Sequence, residues 1–354
     1  MTTLTVSTAP VHSVALDRVR AGRRHRARRR RIALGAMAAL VVVLFCAMLM
    51  LGNTIYPASD VIAVLLGHQV PGASFTVGTL RLPRALTGIL AGIAFGVAGT
   101  TFQTMLRNPL ASPDVIGITS GASAAAILSL VILHWNSGAA MALALAAGIA
   151  TALIIYLAAR GGESTGGRLI LIGIGVGAML DAVVAYLLLR AAVWDLSAAA
   201  RWMTGSLNGA RMDELFPLVI AVAVLVPLVL LLGRDLNTLE LGDASATALG
   251  VSVDRTRVVL IVSAVALACI ATATTGPIAF VAFLAGPIAA RIVGPGSSTV
   301  LPAALTGACL VLAADLLGQF AFDTKFPVGV ITGILGAPYL LYLLIRTSRR
   351  GGSS

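Results

Sequence analysis

Charge is what this sequence has least of. Charged residues make up 11% of its 354 positions, against about a quarter in an ordinary soluble domain. So few charges cannot cover a water-facing surface of this size. A hydrophobic fraction of 58% also excludes a disordered chain. Lysine is nearly missing: Lys325 is the single one, set in Thr324-Lys325-Phe326. A Walker A phosphate loop needs Gly-Lys followed by Ser or Thr, so this chain cannot carry one. If ATP drives the protein, another subunit binds the nucleotide and its Mg. Cysteine is sparse too: Cys46, Cys269 and Cys309 stand alone in apolar runs and read as small core residues, not as a disulfide or metal framework. The four histidines do not cluster with cysteine and carboxylate, so no bound metal is expected.

Long apolar runs, by contrast, are abundant. A spanning helix needs about 20 mostly apolar residues. Ten segments qualify, at 32–52, 80–105, 113–134, 139–160, 168–190, 213–233, 256–275, 278–293, 300–320 and 328–346. The expected fold is an all-α integral membrane protein with about ten spans. The eighth is short, opening at Gly276-Pro277 and interrupted by Gly286-Pro287. Spans three and four are joined only by His134 to Gly138, which predicts a tight helical hairpin. The domain expectation is an arginine-rich tail at 1–31, a membrane domain at 32–346 and a short tail at 347–354.

The positive charge is lopsided. Nine arginines fall between Arg18 and Arg31. This tail joins a span directly and has no interleaved aromatics, so anionic lipid headgroups are a simpler partner than nucleic acid. With the N-terminus inside, ten spans put the C-terminus inside as well. The inner segments then hold 19 of the 25 basic residues, as the positive-inside rule requires. Arg81, Arg84, Arg190, Arg201, Arg211 and Lys325 remain outside. An offset of 174 pairs Arg81 with Arg255 and Pro113 with Pro287, a faint sign of two inverted halves.

The segment from Arg81 to Ala126 is the densest in motifs. Gly88, Gly92, Gly96 and Gly99 line one helix face with glycine, which lets another helix come close. Arg107-Asn108-Pro109 places a charge and two helix breakers at the end of span two. Between spans six and seven, Gly242 and Asp243 offer a break and an N-cap, Ala244 to Leu249 can form a short helix, and Gly250 can cap it. Leu239, Leu241 and Leu249 are apolar in a loop expected to face water. On pattern alone this is either a docking helix or an interfacial loop helix. Gly162-Glu163-Ser164-Thr165-Gly166 fits a nucleophile elbow, but it joins two membrane helices and has no histidine partner, so no enzyme is expected.

These motifs resemble the permease subunits of bacterial type II ABC importers, the iron–siderophore, haem and vitamin B12 family. The likeness is carried by Arg81-Leu82-Pro83-Arg84, Arg107-Asn108-Pro109-Leu110-Ala111, Trp202 with Gly205-Ser206-Leu207, Leu241-Gly242 through Ala248-Leu249-Gly250, Gly276-Pro277-Ile278, Ala314-Asp315, and Pro327-Val328-Gly329 with Gly336-Ala337-Pro338. Within the family, Ser112-Pro113-Asp114-Val115 and Gly205 to Gly209 are most like ferric-enterobactin-type permeases. The resemblance implies a permease in a bacterial cell membrane with both termini cytoplasmic. It would be dimeric with itself or a sister permease, bound to two ATP-binding subunits and an extracytoplasmic substrate-binding protein, and would carry a ferric siderophore. Haem or cobalamin is the alternative cargo, and a proton-coupled secondary transporter using Asp181 and Asp315 is the alternative class.

By the same resemblance, residues 241–250 are the coupling helix (Leu241, Gly242, Asp243, Ala244, Ala248, Leu249, Gly250). Arg81 and Arg84 dock the binding protein, against a reading in which they snorkel to phosphates. The third docking cation of the family falls near Gln319, where Lys325, Arg201 or Arg211 stand as substitutes. Gly161, Gly162, Glu163, Ser164, Thr165, Gly166 and Gly167 match the inner gate. Gly173, Gly177 and Asp181 belong to the pathway wall. Arg107, Asn108, Pro109 and Asp315 are structural, Asp315 through hydrogen bonds between helices.

Overall fold

The computed structural model describes residues 9–114, 117–159, 165–294 and 298–351, and every regular element among them is a helix. The order is α1 (Ala9–Met50), α2 (Ala58–Leu65), α3 (Leu82–Met105), α4 (Ile118–Ile127), α5 (Ser137–Ala159), α6 (Thr165–Leu189), α7 (Val193–Met203), α8 (Phe216–Leu231), α9 (Gly233–Leu239), α10 (Asp243–Ala248), α11 (Val253–Thr275), α12 (Val281–Val293), α13 (Val300–Phe320) and α14 (Val328–Gly351).

All ten expected spans have counterparts. Seven helices are long and apolar enough to cross a membrane: Arg20–Met50, Ser74–Met105, Ser137–Ala159, Gly167–Leu189, Asp213–Leu231, Val253–Thr275 and Val300–Phe320. Three shorter apolar helices, Ile118–Ile132, Val281–Val293 and Val328–Tyr342, fill the other places. The chain is a multi-pass helical membrane protein. Its boundaries move at three points. Span two opens at Ser74, because a π-helical stretch to Arg81 runs into α3. Span three begins at Ile118, after a turn through Gly117 at φ 78. The arginine-rich segment is not separate from span one: α1 runs through it from Ala9 without a break.

At the centre stands α3, buried along nearly its whole length, with α8, α11, α12 and α13 around it. The glycine face explains how. A methyl group on Gly92 would strike the backbone of Gly307 and Ala308, one on Gly96 the carbonyl of Ala303, and one on Gly99 the carbonyl of Ala282. From the other side, a methyl on Gly307 would overlap the carbonyl oxygen of Gly92. Backbone thus lies directly on backbone between α3 and α13, a contact that small residues alone permit. The hairpin of spans three and four is present: His134 turns at φ 49, and the Asn136 side chain accepts the Ala139 N–H at 2.9 Å.

Two ends can be told apart. At the basic end, a methyl on Gly294 would lie 3.5 Å from Arg29 Nη1, and Arg30 donates to the Ser298 carbonyl at 3.5 Å. Arg107 and α10 lie at this end too. At the opposite end, Arg84 of α3 meets Asp315 near the end of α13.

Candidate functional site

Three places gather the residues singled out by the sequence. The first is a basin at the opposite end, about 390 Å3, lined by Arg81, Arg84, Asn208, Gln319 and Lys325 among others. Arg81 and Arg84 are three apart, yet their guanidinium groups part company. Arg81 donates to the carbonyls of Leu49 and Met50 at 2.9 Å and Thr54 at 2.7 Å, and lies over the Tyr56 ring. It stitches the end of α1 to the start of α3. Arg84 makes a two-pronged ion pair with Asp315, Nε to Oδ2 at 2.9 Å and Nη2 to Oδ1 at 2.8 Å. Gln319 donates to the same carboxylate at 2.7 Å, and Asn208 Oδ1 lies 3.4 Å from Arg84 Nη1. Asp315 is fully buried and the Arg84 side chain keeps 20% exposure. Asp315 therefore links helices through hydrogen bonds, and Gln319 supports that carboxylate. Among the three substitute cations, Lys325 lines the basin itself. Arg211 is paired with its neighbour Asp213 at 2.9 Å. The side chain of Arg201 lies outside the described residues.

The second place is at the basic end. Gly242, at φ 100, precedes the single-turn helix α10. Past it, the Val251 N–H reaches back to the Ala246 carbonyl at 3.0 Å across Gly250, at φ 87. That is the glycine stop expected there. Leu241 and Leu249, at its two ends, are 64% and 66% exposed. Leu239 departs from the expectation: it ends α9 and is buried against the core. Asp243 is not the capping residue. Its carboxylate takes two hydrogen bonds from Arg257 Nη2, at 2.8 and 3.0 Å, which tie α10 to the second turn of α11. Next to α10 runs a groove of about 410 Å3 lined by Gln103, Arg107, Asn108, Glu240, Gly286 and Pro287 among others. Its wall is the Arg107-Asn108-Pro109 turn. Arg107 takes the left-handed conformation at φ 52, Asn108 Oδ1 accepts the Leu110 N–H at 2.9 Å, and Gln103 donates to the Pro109 and Phe283 carbonyls at 2.9 Å. Partial burial raises the pKa of the Glu240 carboxyl above the usual range.

The third place is α6, one of the least buried spans. Gly173 and Gly177 face inward, packed on the left-handed turn at Gly117. Asp181 is exposed, as are Leu171, Ile174 and Met179. Asp181 continues the i, i+4 row of Gly173 and Gly177, at the exposed flank of the face on which the glycines are buried. An ionisable group this deep in a span does not face lipid, so the Asp181 side needs water or another protein surface. Of the inner-gate segment, Gly161 to Ser164 lie outside the described residues. Thr165 and Gly166 open α6, and Gly167 is exposed.

Motifs far apart in sequence meet at the opposite end. Ser206 donates its N–H to the Thr275 carbonyl at 2.8 Å, and the Gly329 N–H reaches the Gly205 carbonyl at 3.1 Å. A methyl on Gly276 would hit the Trp202 carbonyl, and one on Gly329 the Thr204 carbonyl. Trp202 to Leu207, Gly276-Pro277 and Pro327 to Gly329 are one packed junction.

The FecCD transport family matches residues 40–346. The chain belongs to this family. FecCD relatives include the ferric enterobactin transport system permease protein FepG of Escherichia coli (strain K12), 42% identical over 301 residues, 84% of this chain and 91% of that protein. The achromobactin transport system permease protein CbrC of Dickeya dadantii (strain 3937) is 40% identical over 312 residues, covering 87% and 89% of the two chains. In fold, the chain is similar to a solved metal-chelate type ABC transporter in an inward-facing conformation. The TM-score is 0.78 at 24% identity, over 88% of this chain and 98% of that one. The FecCD match takes in all seven motif groups quoted above. The sequence reading did not single out the pairings of Arg257 with Asp243 and of Asn208 with Arg84. Each joins two different elements, which no local pattern announces.

Proposed function

We propose that this FecCD permease is the membrane-spanning subunit of an ABC importer that carries a ferric siderophore inward. ATP and Mg would be held by two partner subunits, and an extracytoplasmic binding protein would deliver the cargo to a dimer of permeases. The basic end is then cytoplasmic, with both termini. The observation that carries this reading is α10. Two exposed leucines bracket a short helix that Arg257 ties to α11 through Asp243 and that adjoins the Arg107 groove. This is a ledge of the kind a partner grips by helix-in-groove packing, and its attachment to α11 lets a push at the surface reach a span. In this reading residues 32–346 are the permease domain and Asp181 lies on the pathway side. The opposite-end basin receives the binding protein, with Lys325 as its third cation. Arg84 meets an acidic partner only by sharing or exchanging Asp315, so Arg81 and Arg84 contribute as much to the shape of the basin as to its charge.

The test is uptake of a radiolabelled ferric siderophore by cells carrying the full assembly. Inactivating the partner ATPase should abolish uptake, and Ala246→Pro should leave ATP hydrolysis running without transport. Uptake that survives loss of the ATPase but stops when the proton gradient is collapsed would mark a secondary transporter instead. The ion pair to Arg84 already occupies Asp315, one of the two carboxylates which that class would need.

A further inference from the structure

An apolar groove runs between α5 and α11, away from the three places above. Ile149, Ala152, Leu153 and Tyr156 form one wall, and Val258, Ile261, Val262 and Val265 the other, around about 190 Å3. Both walls belong to membrane spans, so the surrounding medium is acyl chain. Leu153, Val258 and Val262 are exposed there.

What stands at the groove's basic end is polar. Asp254 precedes Val258 by four residues, and Arg255 precedes Val258 by three and Val262 by seven. Both therefore sit about one turn beyond the groove, toward the face it looks from. Both are exposed, and neither takes part in an ion pair among the described residues. Arg257, nearby, is already committed to Asp243. Tyr156, near the end of α5, adds a phenol to the groove lining. This end of the groove thus offers an acceptor carboxylate and a donor guanidinium at the start of α11, and a phenol near the end of α5.

We propose that this groove binds one phospholipid with a primary ammonium headgroup. An acyl chain lies between α5 and α11, the phosphate is held by Arg255 and Tyr156, and the ammonium by Asp254. A headgroup of phosphate alone would leave Asp254 facing like charge. A choline headgroup carries no N–H to donate to it. The paired acid and base select the zwitterion that satisfies both.

The test uses the full-length protein in detergent micelles, given an equimolar mixture of phosphatidylethanolamine, phosphatidylcholine and phosphatidylglycerol. Retained lipid is read by native mass spectrometry. The wild type should retain phosphatidylethanolamine over the other two by about twofold to fivefold, the range expected of exposed charge pairs. The double variant Asp254→Asn with Arg255→Gln should retain the three equally. Leu153→Trp, a change at an exposed position that fills the groove, should lower retention of all three while the melting temperature holds. Equal retention by the wild type, a preference for phosphatidylglycerol, or retention that Leu153→Trp does not touch would overturn the proposal. So would an efficient cross-link between copies through cysteines placed at Leu153 and Val262, because a second protein would then cover the groove.

Discussion

Replacing Asp315 with leucine should destabilise the protein by about 3 kcal/mol. The carboxylate is fully buried and accepts two hydrogen bonds from Arg84 and one from Gln319, all at 2.7 to 2.9 Å. Without it, a guanidinium that is four-fifths out of water keeps only Asn208, at 3.4 Å. Breaking a buried pair from one side costs about 3–5 kcal/mol, and water reaching the exposed fifth of Arg84 puts this case at the low end. That is about a hundredfold in the folding equilibrium. Arg84→Met should cost at least as much, because it strands the more deeply buried partner. The double variant Arg84→Met with Asp315→Leu removes both charges and should cost less than the two singles added, by about 2 kcal/mol or more. Detergent-driven unfolding in mixed micelles, followed by circular dichroism, measures the cycle. If the two single losses simply add to the double within about 0.5 kcal/mol, the groups are not coupled and the reasoning fails.

Gly99→Leu should lose about 1–3 kcal/mol through overpacking against the Ala282 carbonyl. Gly175→Ala, with nothing within 4 Å of the added methyl, should be neutral or slightly stabilising; equal losses at both sites would contradict the close packing of α3. Asp114 sits in the turn before α4 with Oδ2 sealed from solvent, and burial raises its pKa from 3.8 to about 7. Stability should then fall as pH rises from about 4 through about 7, because in that window the unfolded chain ionises this group while the folded protein still holds its proton. Melting curves should show Asp114→Asn gaining more at pH 8 than at pH 4, and a gain independent of pH would count against it. Asp181→Leu should lower siderophore uptake while the protein remains folded. A lipid-facing Asp181 would give the reverse, a stability gain of about 2.5–3.5 kcal/mol with uptake unchanged.

The spans were legible because a membrane segment is written as an unbroken apolar run, and the glycine face of α3 because its spacing follows the helix period. The roles of the arginines were not. Arg81 and Arg84 share a helix end, but one turns to the carbonyls at the end of α1 and the other to Asp315, 231 residues away. Leu239 was read as exposed because it lies outside a span; its place at the end of α9, turned into the core, depends on how α9 folds under α3 and α11. Asp243 carried a capping pattern, yet its carboxylate is taken by Arg257, which no local rule could foresee. The family motifs were readable as strings, but their meeting at Gly205, Gly276 and Gly329 is a property of the packed chain.

The crossing of Gly92 and Gly307 also limits how this protein can move. Where two backbones touch with no side chain between them, neither helix can slide or roll without its carbonyls colliding with the other. Spans two and nine must travel together as a single stiff spine through any cycle of opening. Displacement then falls to the loosely buried segments hung around that spine, α6 among them. A cysteine cross-link locking span two to span nine should leave transport running, while one pinning α6 to a neighbour should stop it.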